Sequence, residues 1–219
     1  EPTTSEDFLR YSQEITLDPN TAHTLLLLSD GNRKVTYMSQ HQSYPDHPDR
    51  FSWWCQVLSR EGLKGRCYWE LEWRLDRGWY SVSDFDSFSD TEILINIAVC
   101  SRGRCDEQRE FGDDDQSWSL RVYEGQVRVC HNSTETRVNT LSIIDQRVIP
   151  RWTDFDVFSG TVGVFLDSEA GALSFYEFLS DGELSLLHTF SSTFTEPLFP
   201  GVGLANPESS VSLVNVKTE

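Results

Sequence analysis

Methionine occurs once in this 219-residue chain, at Met38, and lysine only at Lys34, Lys64 and Lys217. No run of 18 apolar residues is present, so no helix that crosses a membrane is expected. With so few cations the formal net charge is −17. Such a surface repels phosphate backbones and anionic lipid headgroups, which disfavours nucleic-acid and membrane-surface partners and favours a basic protein or peptide. The chain begins at Glu1 with no basic-then-apolar leader, so it reads as a piece of a longer protein whose upstream domains are absent.

The five cysteines, Cys55, Cys67, Cys100, Cys105 and Cys130, form no CxxC pair. A zinc site needs three or four converging ligands, commonly at short spacing, so no metal is expected. An odd count without a framework reads as free thiols in a reducing compartment, and the expected location is cytoplasmic. The sequon Asn132-Ser133-Thr134 would matter only in a secreted chain. No GxSxG elbow and no phosphate-cradling glycine loop occur, and the histidines at 23, 41, 47, 131 and 188 are scattered. Asp113-Asp114-Asp115 lacks a calcium-loop pattern around it. Neither an enzyme nor a cofactor is expected.

What is present is alternation. Trp69, Leu71 and Trp73 fall on one face of an extended segment, with Tyr68, Glu70 and Glu72 on the other. Ile93, Ile95, Ile97 and Val99 repeat the pattern, as do Trp118, Leu120 and Val122, then Val127 and Val129. Val162–Leu166 and Ala172–Phe178 flank a turn whose Gly171 can take a positive φ. Leu25–Leu28 stops at Ser29-Asp30-Gly31-Asn32 and returns from Lys34. Ahead of these, Thr3 and Glu6 suit a capping box, and Phe8, Tyr11 and Ile15 suit one face of a short helix. Closely spaced strands with almost no helix between them predict a sandwich or barrel.

In order along the chain, Leu17-Asp18-Pro19-Asn20-Thr21-Ala22, Gly65-Arg66-Cys67-Tyr68-Trp69-Glu70-Leu71-Glu72-Trp73, Trp118-Ser119-Leu120, Gly163-Val164-Phe165-Leu166-Asp167, Gly171 to Tyr176, His188-Thr189-Phe190 and Glu196 to Gly201 resemble the motifs of PRY-SPRY domains. Their style is similar to that of fish tripartite-motif and NOD-like receptor proteins, and of stonefish-type toxins. The resemblance implies a single all-β domain, a distorted antiparallel β-sandwich of the concanavalin-like jelly-roll kind with a short N-terminal helix. Residues 1–62 would form the PRY-like segment and 63–219 the SPRY-like segment. It implies protein or peptide recognition through loops at one end. In a tripartite-motif parent this means substrate recognition for an upstream ubiquitin-ligase domain, with a role in innate immunity. An assembly domain of a toxin-like parent, or a carbohydrate-binding sandwich, are the alternatives.

Long loops on a rigid sandwich are where binding normally sits. The stretch 75–92 looks expanded relative to the family and mixes Trp79, Tyr80, Phe85 and Phe88 with Asp84 and Asp86. Aromatic residues are favoured interface anchors, and carboxylates steer a basic ligand. Phe111 in the acidic 101–116 stretch, Trp118 beside it, and Trp152 and Phe155 in the 140–159 stretch complete the expected ligand-binding set.

Overall fold

The computed structural model of the chain describes residues 5–76, 93–101, 108–123, 126–138, 157–179 and 182–214. Its elements are a helix α1 (Ser5–Leu9) and strands β1 (Leu26–Ser29), β2 (Lys34–Tyr37), β3 (Gln56–Leu58), β4 (Arg66–Asp76), β5 (Ile93–Cys100), β6 (Ser117–Tyr123), β7 (Gln126–His131), β8 (Thr134–Arg137), β9 (Val157–Asp167), β10 (Ala172–Phe178), β11 (Leu184–Ser191), β12 (Phe199–Leu204) and β13 (Ser210–Leu213). A seven-stranded sheet runs β1-β2-β13-β4-β9-β10-β11, and a six-stranded sheet runs β3-β12-β5-β6-β7-β8. Every strand pairing is antiparallel. The two sheets pack as a sandwich, the architecture the motifs imply.

The alternation in β4 decides which face goes inward. Trp69, Leu71, Trp73 and Leu75 enter the main core beside Ile95, Ile97, Val99, Leu120 and Val122 of the other sheet. Each strand contributes every second side chain, so two sheets can share one apolar layer. Trp73 needs more room than its partner strand would normally leave. Gly160 sits opposite it in register, and a Cβ there would lie 2.8 Å from the indole. The β9–β10 turn uses Gly171 at φ +70, where a Cβ would also strike the Ser192 carbonyl.

The outer faces are covered by different devices. Phe8 of α1 stacks on Tyr68 at 4.8 Å and meets Phe165 and Tyr176 edge-on, closing the outer face of β4, β9 and β10. The helix is shorter than the Phe8–Tyr11–Ile15 spacing suggests: it ends at Leu9, and Ile15 packs in the main core instead. The backbone of residues 11–13 exchanges hydrogen bonds with Tyr68, so the chain leaves the helix as an extended strap. Thr3 lies outside the described residues.

One expectation is corrected. Cys100 is disulfide-bonded, its partner lying outside the described residues, while Cys55, Cys67 and Cys130 are free. An odd cysteine count excludes complete pairing but leaves room for a single bridge. The sequon Asn132-Ser133-Thr134 spans the β7–β8 turn, where Asn132 and Ser133 both take positive φ.

Phe8→Ala should empty the aromatic pocket over Tyr68 and cost about 3–5 kcal/mol in urea unfolding, the usual range for a buried phenylalanine. Gly160→Ala should cost about 1–3 kcal/mol by pressing on Trp73.

Candidate functional site

Strand register fixes which loops share an end. Asp76 at the close of β4 pairs with Val157 at the start of β9. Leu204 at the close of β12 pairs with Ile95, and after the short link 205–209 Ser210 of β13 pairs with Arg74. Residues 76, 93, 157 and 204 therefore mark one end of the sandwich. The 77–92 and 139–156 segments both start or finish there. Trp79, Tyr80, Asp84, Phe85, Asp86, Phe88, Trp152 and Phe155 all belong to these segments and lie outside the described residues.

The other two expected contacts are placed differently. Cys100 pairs with Ser117, so the 101–116 segment leaves β5 at the opposite end. Its described part does not stand out as a free loop but turns back over the outer face of the six-stranded sheet. Phe111, expected on the recognition surface, is 1% exposed and packs with Phe51, Leu58, Ala98, Cys100 and Phe199. A Cβ at Gly201 would come within 2.8 Å of its ring, so the glycine makes the seat. Trp118 is 5% exposed, stacks on His131 at 4.6 Å and meets Phe194 edge-on. Both rings are spent on packing.

Polar groups hold the folded-back segment. Gln56 accepts from the Phe111 amide at 2.8 Å and donates to the Arg109 carbonyl at 3.1 Å. The Phe111 carbonyl accepts from Asn96, Ser119 and Arg121. Arg121, almost wholly buried, bridges Asp113 at 2.7 Å and Glu135 at 2.8 Å, and Arg128 reaches the second oxygen of Glu135 at 2.8 Å. Tyr123 donates to Glu135 as well. Partial burial pushes the Glu135 carboxyl up, but the bonds from Tyr123, Arg128 and Arg121 hold it below the usual range. Asp114 accepts from the Gln116 amide and the Ser117 hydroxyl. Of the acidic run, Asp113 and Asp114 thus brace the fold.

Glu110 lies in the same cluster. Burial pushes its carboxyl up to about 7, against the pull of Arg121, with Asp113 and Glu135 adding to the rise.

The exposed aromatic surface that the structure does describe was absent from the sequence-based set. Trp53 is 71% exposed and Trp54 41%, on the segment leading into β3. Leu204 donates to the Cys55 carbonyl and Gln56 pairs with Gly203, so the doublet stands at the same end as residues 76, 93 and 157. Its signal in the sequence was adjacency: two neighbouring tryptophans cannot both enter one core from an extended segment.

The class defined by this geometry is an all-β module of two antiparallel sheets, with the flanks of two long segments anchored at one end. The family models give it a finer identity: the SPRY-associated domain PRY matches residues 15–63, and the SPRY domain matches residues 66–216. The chain belongs to the PRY-SPRY family. It is 32% identical over 203 residues to stonustoxin subunit beta of Synanceia horrida, covering 92% of this chain and 25% of that one. It is 30% identical over 223 residues to tripartite motif-containing protein 16 of Mus musculus, covering 100% of this chain and 34% of that one. The chain thus spans about a quarter to a third of these relatives. Among solved structures, stonustoxin superposes with a TM-score of 0.71 at 29% identity, covering 97% of this chain and 29% of that one. The TRIM65 PSpry domain superposes with a TM-score of 0.73 at 21% identity, covering 98% of each chain, and shares the fold.

A carboxyl whose pKa is higher folded than unfolded stabilises the fold most in its protonated state. The contribution of Glu110 should be complete below about pH 4.5 and fall away as pH rises to about 7. Glu110→Gln should flatten that fall, so its urea midpoint exceeds wild type at pH 8 by more than at pH 4.5. Glu135 acts with the opposite sign, its contribution being lost as pH drops through the carboxylate range.

Proposed function

We propose that this chain is a protein-recognition module that binds its target through the end of the sandwich marked by residues 76, 93 and 157. The observation that carries this reading is the β4–β9 register: it anchors the flanks of two long aromatic-bearing segments on adjacent strands. A rigid scaffold beneath variable connections is the usual basis of loop-mediated recognition. Kinship with a tripartite-motif protein supports a protein target, and the charge of −17 favours a basic one. On this reading Trp79, Tyr80, Phe85, Phe88, Trp152 and Phe155 supply apolar anchors, and Asp84 and Asp86 speed encounter at low salt. In a tripartite-motif parent the module selects what the rest of the protein acts upon, including targets in innate immunity. No part of this reading calls for catalysis.

A second reading has its own observation. The disulfide at Cys100 suits an oxidising compartment rather than the cytoplasm. Together with the likeness to stonustoxin, it favours an assembly domain that contacts other parts of a secreted parent.

Affinity capture from cell lysate with mass spectrometry should retain a protein on the wild-type chain and lose it on a folded Trp79→Ala/Phe85→Ala variant. Equal retention by both sinks the loop assignment. Retention of only the parent's own remaining domains selects the assembly reading.

A further inference from the structure

Among the described residues, the tryptophans divide sharply. Trp69, Trp73 and Trp118 are buried, whereas Trp53 and Trp54 face solvent side by side. An exposed indole is a costly surface feature unless something covers it, and aromatic pairs of this kind are typical anchors of an interface.

The ledge that carries them is held from several directions. Phe51, just before the pair, is buried, and its amide donates to the Thr21 carbonyl. Gln56, just after, is buried, and its amide donates to the Trp54 carbonyl. The Arg50 guanidinium donates to the carbonyls of Pro19 and Ala22 at 2.7 Å and of Pro45 at 2.6 Å. The indole N–H of Trp54 donates to the Gln108 carbonyl at 3.1 Å, which fixes that ring against the folded-back segment. Little ordering remains to be done when a partner arrives.

Charge decides what that partner is. The ledge's own cation, Arg50, is committed to three carbonyls and lies over the Tyr44 ring at 4.9 Å. Arg109, exposed on the neighbouring segment, directs a guanidinium nitrogen to the Asp113 carbonyl. Asp46 and Asp49 of the same stretch are exposed, as is Glu208 of the 205–209 link, and all three lysines lie elsewhere in the chain. The electron-rich faces of the two indoles, set in an acidic protein, select a cation. A second copy of a chain carrying −17 is repelled, and so is a nucleic acid.

We propose that Trp53 and Trp54 form a docking ledge for an arginine-bearing peptide segment of a protein partner, with the guanidinium stacked on the indoles. This rests on the protein-recognition reading above and adds a contact on the PRY-like part of the module. The peptide crosses the end of the six-stranded sheet beside β3 and β12.

The test is a titration of the whole chain, with ¹⁵N-labelled indoles, by acetyl-Gly-Arg-Gly-Arg-Gly-amide and by its citrulline counterpart. Trp53→Ala and Trp54→Phe identify the two signals. The arginine peptide should move both signals saturably, more strongly at low salt, and the citrulline peptide should bind about tenfold more weakly. Trp53→Ala should weaken the arginine peptide by a similar factor and leave the unfolding midpoint unchanged, because that ring is exposed. No movement, equal movement by both peptides, or binding indifferent to Trp53→Ala overturns the proposal. So does a response to phosphatidylcholine vesicles or to maltotriose in place of the peptide. The loop variant Trp79→Ala/Phe85→Ala separates the two readings. Target capture lost with that variant but kept with Trp53→Ala removes the ledge and leaves the module. Loss only with Trp53→Ala keeps the ledge and moves recognition off the loops.

Discussion

Eleven consecutive residue pairs, from Arg66↔Asp167 to Asp76↔Val157, tie β4 to β9. Everything else is arranged around this ladder. It sets Trp69, Leu71 and Trp73 inward, places Gly160 under the Trp73 indole, and leaves Tyr68 and Phe165 outward for Phe8 to cover. β13 and β10 pair with its two flanks, and β2 and β11 follow from those. Because the ladder is antiparallel, the exit of β4 and the entry of β9 come together without any contribution from the segments attached to them.

The six-stranded sheet solves a different problem. β5 and β6 are buried on both faces, although an antiparallel sheet commonly leaves one face wet. Their outer face carries Asn96, Ser119 and Arg121, with Cys130 of β7 beside Ser119, a polar set that needs partners once covered. The segment around Phe111 supplies the Phe111 carbonyl to Asn96, Ser119 and Arg121, the Gly112 carbonyl to Cys130, and an aromatic ring to fill the space over Gly201. Part of the chain's acid is used here, on Arg121 and Arg128, so the negative charge is not uniformly available to a ligand.

How much of this was legible depends on how each element announces itself. β4, β5, β6 and the β9–β10 hairpin carry clean alternation or a glycine turn, and a period of two is easily read. β12 carries no strand signal of its own, because Phe199-Pro200-Gly201-Val202-Gly203 holds a proline and two glycines. Its glycines are there for close approach: one seats Phe111, the other faces Asn96. β8, with Thr134, Glu135, Thr136 and Arg137, has no apolar face to signal it. The 101–116 segment was legible as irregular and acidic, but not as a cover, since nothing local says that Phe111 will find a glycine on a strand some ninety residues later. The Trp53–Trp54 doublet was visible as letters, yet its exposure follows from the burial of Phe51 and Gln56 on either side, which is a tertiary fact.

The continuous β4–β9 ladder also bears on how such a domain can diversify. The segments following β4 and preceding β9 are attached beyond the last paired residues, so a flexible insertion there would add loop entropy without altering a pair of the ladder. Doubling a flexible loop costs on the order of 0.6 kcal/mol. A lineage could therefore lengthen, shorten or reshuffle these segments through many generations without disturbing the register that holds the sandwich together. Variation in what is recognised and persistence of the scaffold become separable traits, the first free to follow a changing partner while the second stays fixed.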